Sequence, residues 1–206
     1  MTENFVALTL RGLPGWMALP LDEAVDAATW ALEKLTASAL GLEPLPSSIG
    51  IEAAADALRR AVLRARALWD DDIAAPISFA FQPDPLGPVL ALLDAAAFPI
   101  EDAPLSPERV ARMGSRDSTI VGPVDSSERT VPAGPATRYR ATFGAFPDAD
   151  EPTSVQAVGA VTYTIMPPEL PGYVLLEGQW AIPALGDVIA EQIDEMAARL
   201  EVTSKQ

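Results

Sequence analysis

From Ala136 to Trp180 the side chains alternate at a period of two, and beyond Pro183 the rhythm changes to that of a helix. Thr137, Tyr139, Ala141 and Phe143 fall on one side of the first segment, with Ala136, Arg138, Arg140 and Thr142 on the other. PDADEP then supplies a hairpin turn, and Val155, Ala157, Val161, Tyr163 and Ile165 line one face of a second segment. PPELPG turns the chain again and Tyr173–Trp180 returns. Three such segments joined by short turns predict an antiparallel meander. The stretch after it carries Leu185, Ile189, Ile193, Met196 and Leu200 at spacings of 4, 4, 3 and 4, the stripe of an amphipathic helix over about Pro183–Leu200. A half-apolar sheet has to be covered, and the helix that follows it carries the matching surface.

The first hundred residues read differently. Phe5–Leu10 is a short apolar run and predicts a strand, with LRGLPGWMALP as a turn-rich connector. Asp22 is placed to cap a helix running to about Leu40, whose face would carry Val25, Ala28, Leu32, Leu35 and Ala39. A second helix over Ile51–Trp69 shows Ile51, Ala55, Leu58, Val62, Ala65 and Trp69 at the same spacing, and the two predict an antiparallel pair. ISFAF (Ile77–Phe81) predicts a strand. VLALLDAAA within Leu86–Ala97 favours a helix, and Ser106–Pro107 starts a short one to Met113. Residues 114–135, rich in Gly, Ser, Asp and Pro, read as a long loop with one possible strand at Thr119–Val121. The predicted fold is α+β: an antiparallel sheet packed by a C-terminal helix, its other face meeting the N-terminal helical pair. One domain over 1–206 is expected, with 1–75 as the strand and helical pair and 76–206 as the sandwich part.

Composition narrows the chemistry. Hydrophobic residues make up 49% and charged residues 21%, the mix of a globular chain. The chain has no Cys and no His, which removes disulfides, thiol nucleophiles, His bases and His/Cys metal sites. No G-x-S-x-G, S-x-x-K, G-x-G-x-x-G or Walker loop occurs. Carboxylate pairs, Tyr, Arg and oxygen-ligated Mg2+ or Ca2+ remain. The net charge is −15, shared almost evenly between halves of −7 and −8, with no basic tail or patch. Phosphate backbones are gripped by clustered Lys and Arg, so nucleic acid is not the expected partner. No apolar run is long enough to span a bilayer and no leader pattern opens the chain, so a cytoplasmic protein without membrane insertion is expected.

Several residues stand out, each with a plainer alternative. Asp148, Asp150 and Glu151 in the PDADEP turn could offer oxygens to a cation, but turns favour Asp for local hydrogen bonds and the EF-hand spacing is absent. Asp70, Asp71 and Asp72 follow the second helix, where acids oppose its dipole; they are either a basic-partner contact or a solvated exit turn. Arg138 and Arg140 share one strand face and, with Thr162 and Thr164, could grip a carboxylate, or they pair internally. Trp16 sits in a Pro/Gly connector, where it either packs or meets a partner; Trp30, Trp69 and Trp180 are the other large anchors.

The order VPAGPATRYRATF, VTYTIMPPELPGYVLLEGQW, ALGDVIAEQIDEMAARLEV resembles the PsbP-like α/β sandwich, also used by DcrB-like proteins and by small actinobacterial proteins of unassigned role. The matching positions are Ala133–Ala136 with Arg138, Tyr163 with Ile165, Pro171–Gly172, and Ile193 with Met196–Ala197, within residues 130–202. The resemblance implies non-catalytic work as an adaptor, chaperone or assembly factor with a protein partner and no cofactor. Two other functions stay open. One is an acidic immunity-type protein covering a basic toxin, with Asp70–Asp72 at the contact. The other is a carboxylate or Mg-dependent enzyme, or small-ligand binder. Oligomeric state is left open.

Overall fold

The computed structural model describes residues 5–39, 48–69, 74–99, 119–121, 123–145, 156–168 and 170–205. Its centre is an eight-stranded antiparallel sheet. β2 (Trp16–Ala18), β3 (Ala74–Phe81), β4 (Ala91–Pro99), β9 (Gly172–Trp180), β8 (Gln156–Ile165) and β7 (Gly134–Ala145) lie side by side in that order. β5 (Thr119–Ile120) and β6 (Asp125–Val131) both pair with the far edge of β7. β1 (Phe5–Thr9) and β10 (Glu201–Lys205) form a separate antiparallel ribbon.

The predicted meander is observed, with β7 against β8 and β8 against β9 in continuous register. Helix α3 (Gly186–Ala197) covers one face, preceded by a 3-10 turn at Pro183–Leu185. Ile189, Ile193 and Met196 of its stripe, and Leu200 just past its end, are buried against Val161, Tyr163, Ile165, Val174 and Leu176. Burial of such side chains is worth about 1.5–3 kcal/mol each. Gly178 is what lets the helix sit so close. A Cβ there would lie 2.2 Å from Ile193 Cδ1, so any side chain would collide with Ile193 and force it to move.

The opposite face, over β2, β3 and β4, is covered by α1 (Ala27–Ala39) and α2 (Ser48–Leu68), which pack on each other. The α+β sandwich expected from the sequence is therefore the architecture found. On α2 the expected stripe is the buried one, with Ala55, Leu58, Val62 and Ala65 inside. On α1 it is displaced: Ala27, Ala31 and Leu35 are buried, while Leu32 is 46% exposed. So many of this helix's positions are apolar that spacing alone did not choose between adjacent faces. The cap moves as well, since Thr29 N–H donates to Asp26 Oδ1 at 2.8 Å, whereas Asp22 Oδ1 closes a turn with Ala24 N–H.

Other corrections concern strands. Leu86–Ala97 is not a helix; its second half is β4, in mid-sheet between β3 and β9. Leu93, Ala95 and Ala97 face one layer and Ala96 the other, all buried, so the strand has no alternation to betray it. Within 114–135, β6 replaces part of the expected loop. It is an edge strand with mostly exposed side chains, and hence lacks an apolar face to announce it. β2 occupies part of the connector expected to be turn-rich, and β10 adds a strand beyond the expected C-terminal helix. The helix expected at 106–113 and the PDADEP turn lie outside the described residues.

Candidate functional site

β4 and β9 each carry a single acid, and the register puts Asp94 directly opposite Glu177. Both point to the α2 side of the sheet and both are buried. A chain of side chains holds them. Trp69 Nε1 donates to Ser78 Oγ at 3.2 Å, and Ser78 Oγ donates to Asp94 Oδ1 at 2.5 Å. Arg64 reaches down from α2, donating from Nη1 to Asp94 Oδ2 at 3.3 Å and from Nη2 to Gln179 Oε1 at 2.9 Å. The Gln179 amide in turn donates to Glu177. Burial pushes the Glu177 carboxyl up to about 7, only partly opposed by the Gln179 hydrogen bond, and the neighbouring Asp94 charge adds to the rise. Burial also raises Asp94, against the pull of Arg64 and Ser78.

Beside this network, between α2 and strands β4, β8 and β9, lies a cleft of about 520 Å3. Ala57 and Ala61 of α2 form one wall; Val89, Leu92 and Val158 supply apolar surface from the sheet side. Arg60, Arg64 and Gln179 bring the polar groups. Neither Asp94 nor Glu177 is among the lining residues, so the carboxylate pair lies behind the cleft rather than in it.

The candidate residues from sequence are scattered. Trp16 is buried in β2, its ring 5.1 Å from that of Phe81 and its Nε1 donating to Gln192 Oε1 of α3 at 2.7 Å. It anchors the helix and does not present a contact face. Arg138 is likewise buried, donating from Nε to Asp194 Oδ1 at 2.7 Å, and Tyr163 Oη donates to the same oxygen at 2.8 Å. The Asp194 hydrogen bond and charge raise Arg138 against the opposing effect of burial, and burial together with Asp194 pushes Tyr163 up to about 12. Arg140 lies nearer the surface, 2.6 Å from Asp187 Oδ1 and over the Trp180 ring at 6.0 Å. The expected polar face of Arg138, Arg140, Thr162 and Thr164 does not exist. Arg138 pairs in register with Tyr163 and Arg140 with Val161, so the two threonines point to the other side of the sheet. Asp70, Asp71 and Asp72, with Asp148, Asp150 and Glu151, lie outside the described residues.

Among the described residues no cluster of three or more potential metal ligands occurs, and no helix is long and apolar enough to cross a membrane. Asp94, Glu177, Arg60 and Arg64 were not singled out in the sequence. The available signal was a lone acid inside each of two apolar runs, LALLDAAA and YVLLEGQW.

No protein-family model matches the chain, and no curated protein does. Among solved structures, the Ran-binding protein Mog1p of Saccharomyces cerevisiae aligns over 61% of this chain and 78% of its own, at 12% identity and a TM-score of 0.45. LpqN of Mycobacterium tuberculosis, described as involved in cell envelope biogenesis, aligns over 98% of this chain and 86% of its own, at 12% identity and a TM-score of 0.41. Neither likeness carries a functional assignment at these values.

Proposed function

We propose that this chain is a non-catalytic adaptor or accessory protein that receives an apolar segment of a partner protein in the cleft between α2 and the sheet. The observation that carries the reading is the cleft itself. Its walls at Ala57 and Ala61 are small, allowing close backbone approach, and its sheet side offers Leu92 and Val158. Its volume of about 520 Å3 admits a few side chains. The groups with the most chemical potential, Asp94 and Glu177, are engaged with Ser78, Arg64 and Gln179 and do not reach the cleft. A general acid or base has to touch its substrate.

The test is selection of a random synthetic peptide library on the purified chain. Peptides with apolar residues should be enriched, and Ala57→Trp, which fills the cleft from the helix side, should abolish their binding. Val158→Trp fills it from the sheet side and guards against a local defect in α2; both variants should melt as the wild type does. No enrichment, or enrichment untouched by both variants, would overturn the reading.

A second reading, a carboxylate enzyme, draws on one feature: Glu177 lies opposite Asp94, and burial pushes its carboxyl up to about 7. It requires Glu177 to become accessible to substrate. Glu177→Gln separates the two, since the adaptor retains peptide binding in that variant.

A further inference from the structure

The charge around the cleft is the reverse of the charge on the chain. Against a net −15 for the whole, residues 48–69 hold four arginines and two acids, a net of +2. The four arginines are not equivalent. Arg66 donates to the carbonyl oxygens of Pro20, Asp22 and Val25 and is spent on tying α2 to the chain before α1. Arg59 and Arg60 share one carboxylate, Asp56. Arg60 is the more exposed of the two, with 64% of its side chain accessible. Arg64 has the long contact to Asp94 and a bond to the neutral amide of Gln179.

Arg60 and Arg64 therefore stand one helical turn apart at the cleft, on one face of α2, and among the described residues Asp56 and Asp94 are the acids paired with them, Asp56 being shared with Arg59. A guanidinium offers five N–H donors in a planar fork. Resting on the adaptor reading above, we infer that the segment received by the cleft is acidic as well as apolar: it lays apolar side chains on Leu92 and Val158 and presents a carboxylate to Arg60 and Arg64. The chemistry is that of a peptide carboxylate, supplied by an Asp or Glu side chain or by a free C-terminus. A polyanion fits poorly. Two cations do not track a phosphate backbone, and the remaining negative charge of the chain repels one. A single carboxylate beside apolar groups matches both halves of the site.

The experiment uses the peptides enriched on the full chain, each remade as the free acid, as the C-terminal amide, and with Asp or Glu replaced by its amide. Enriched peptides should carry an acid next to apolar residues, and neutralising it should weaken binding about tenfold or more. Arg60→Glu should weaken the acidic peptides by at least as much and should spare their neutralised forms. It leaves the fold intact because Asp56 keeps Arg59. The amide series tells the terminal carboxylate from the side chain. If the enriched peptides are neutral, blocked by Ala57→Trp and indifferent to Arg60→Glu, this inference fails while the adaptor reading stands. If peptides are enriched but ignore both cleft-filling variants, or if none is enriched, both fail.

Discussion

Replacing Glu177 with Gln tests the physical account of the sheet's polar interior. The carboxyl lies opposite Asp94, and its folded-state value is pushed from the ordinary 4.5 up to about 7, first by burial. The folded chain thus holds this proton over a range of pH in which the unfolded chain has lost it. The associated stability is fully present below the unfolded value and is lost as pH rises through the folded one. At 1.36 kcal/mol per pH unit, the rise corresponds to about 3 kcal/mol lost between pH 4.5 and just above 7. Asp94 is raised too and acts in the same direction. Glutamine keeps the shape and can still accept the Gln179 hydrogen bond, but has no proton to lose. Urea unfolding at a series of pH values, followed by circular dichroism, measures the difference. The variant should be close to wild type near pH 5 and about 3 kcal/mol more stable near pH 8, with an unchanged urea dependence. A difference that stays constant across that range would refute the idea that Glu177 is held protonated by its surroundings.

The other predictions concern how α3 is held. Gly178→Ala drives a Cβ into Ile193 and should cost about 1–3 kcal/mol, read as a lower melting temperature. Asp194→Ala leaves buried Arg138 and the Tyr163 hydroxyl without their shared acceptor and should cost about 1–3 kcal/mol in urea unfolding. Trp16→Phe deletes the bond to Gln192 and should cost about 1 kcal/mol while leaving peptide affinity unchanged; loss of affinity would restore Trp16 as a contact residue.

The C-terminal half was legible because each element there has one apolar and one mixed face. β7, β8, β9 and α3 follow from spacing alone, and Ile189, Ile193 and Met196 are where the stripe put them. β4 was not legible, because a strand buried on both faces has the same apolar density as a buried helix. β6 was missed for the opposite reason, being polar on nearly every position. The site was hidden by the same effect. Asp94 and Glu177 are far apart in sequence, and only the β4–β9 register brings them together. Arg60 and Arg64 lie off the apolar stripe of their helix, so spacing carries no signal of the sheet beneath them. The Arg138 and Arg140 face was misjudged through strand pairing, since one residue of register decides which side of β8 they share.

The adaptor reading places its ligand between α2 and β4, β8 and β9, and the most direct test is methyl chemical-shift mapping with the tightest selected peptide. Shifts concentrated at Ala57, Ala61, Leu92 and Val158, saturating with the binding isotherm, are the predicted result. Shifts that leave these methyls unmoved and gather instead at the exposed Ile182 and Val188 near the start of α3 would contradict it.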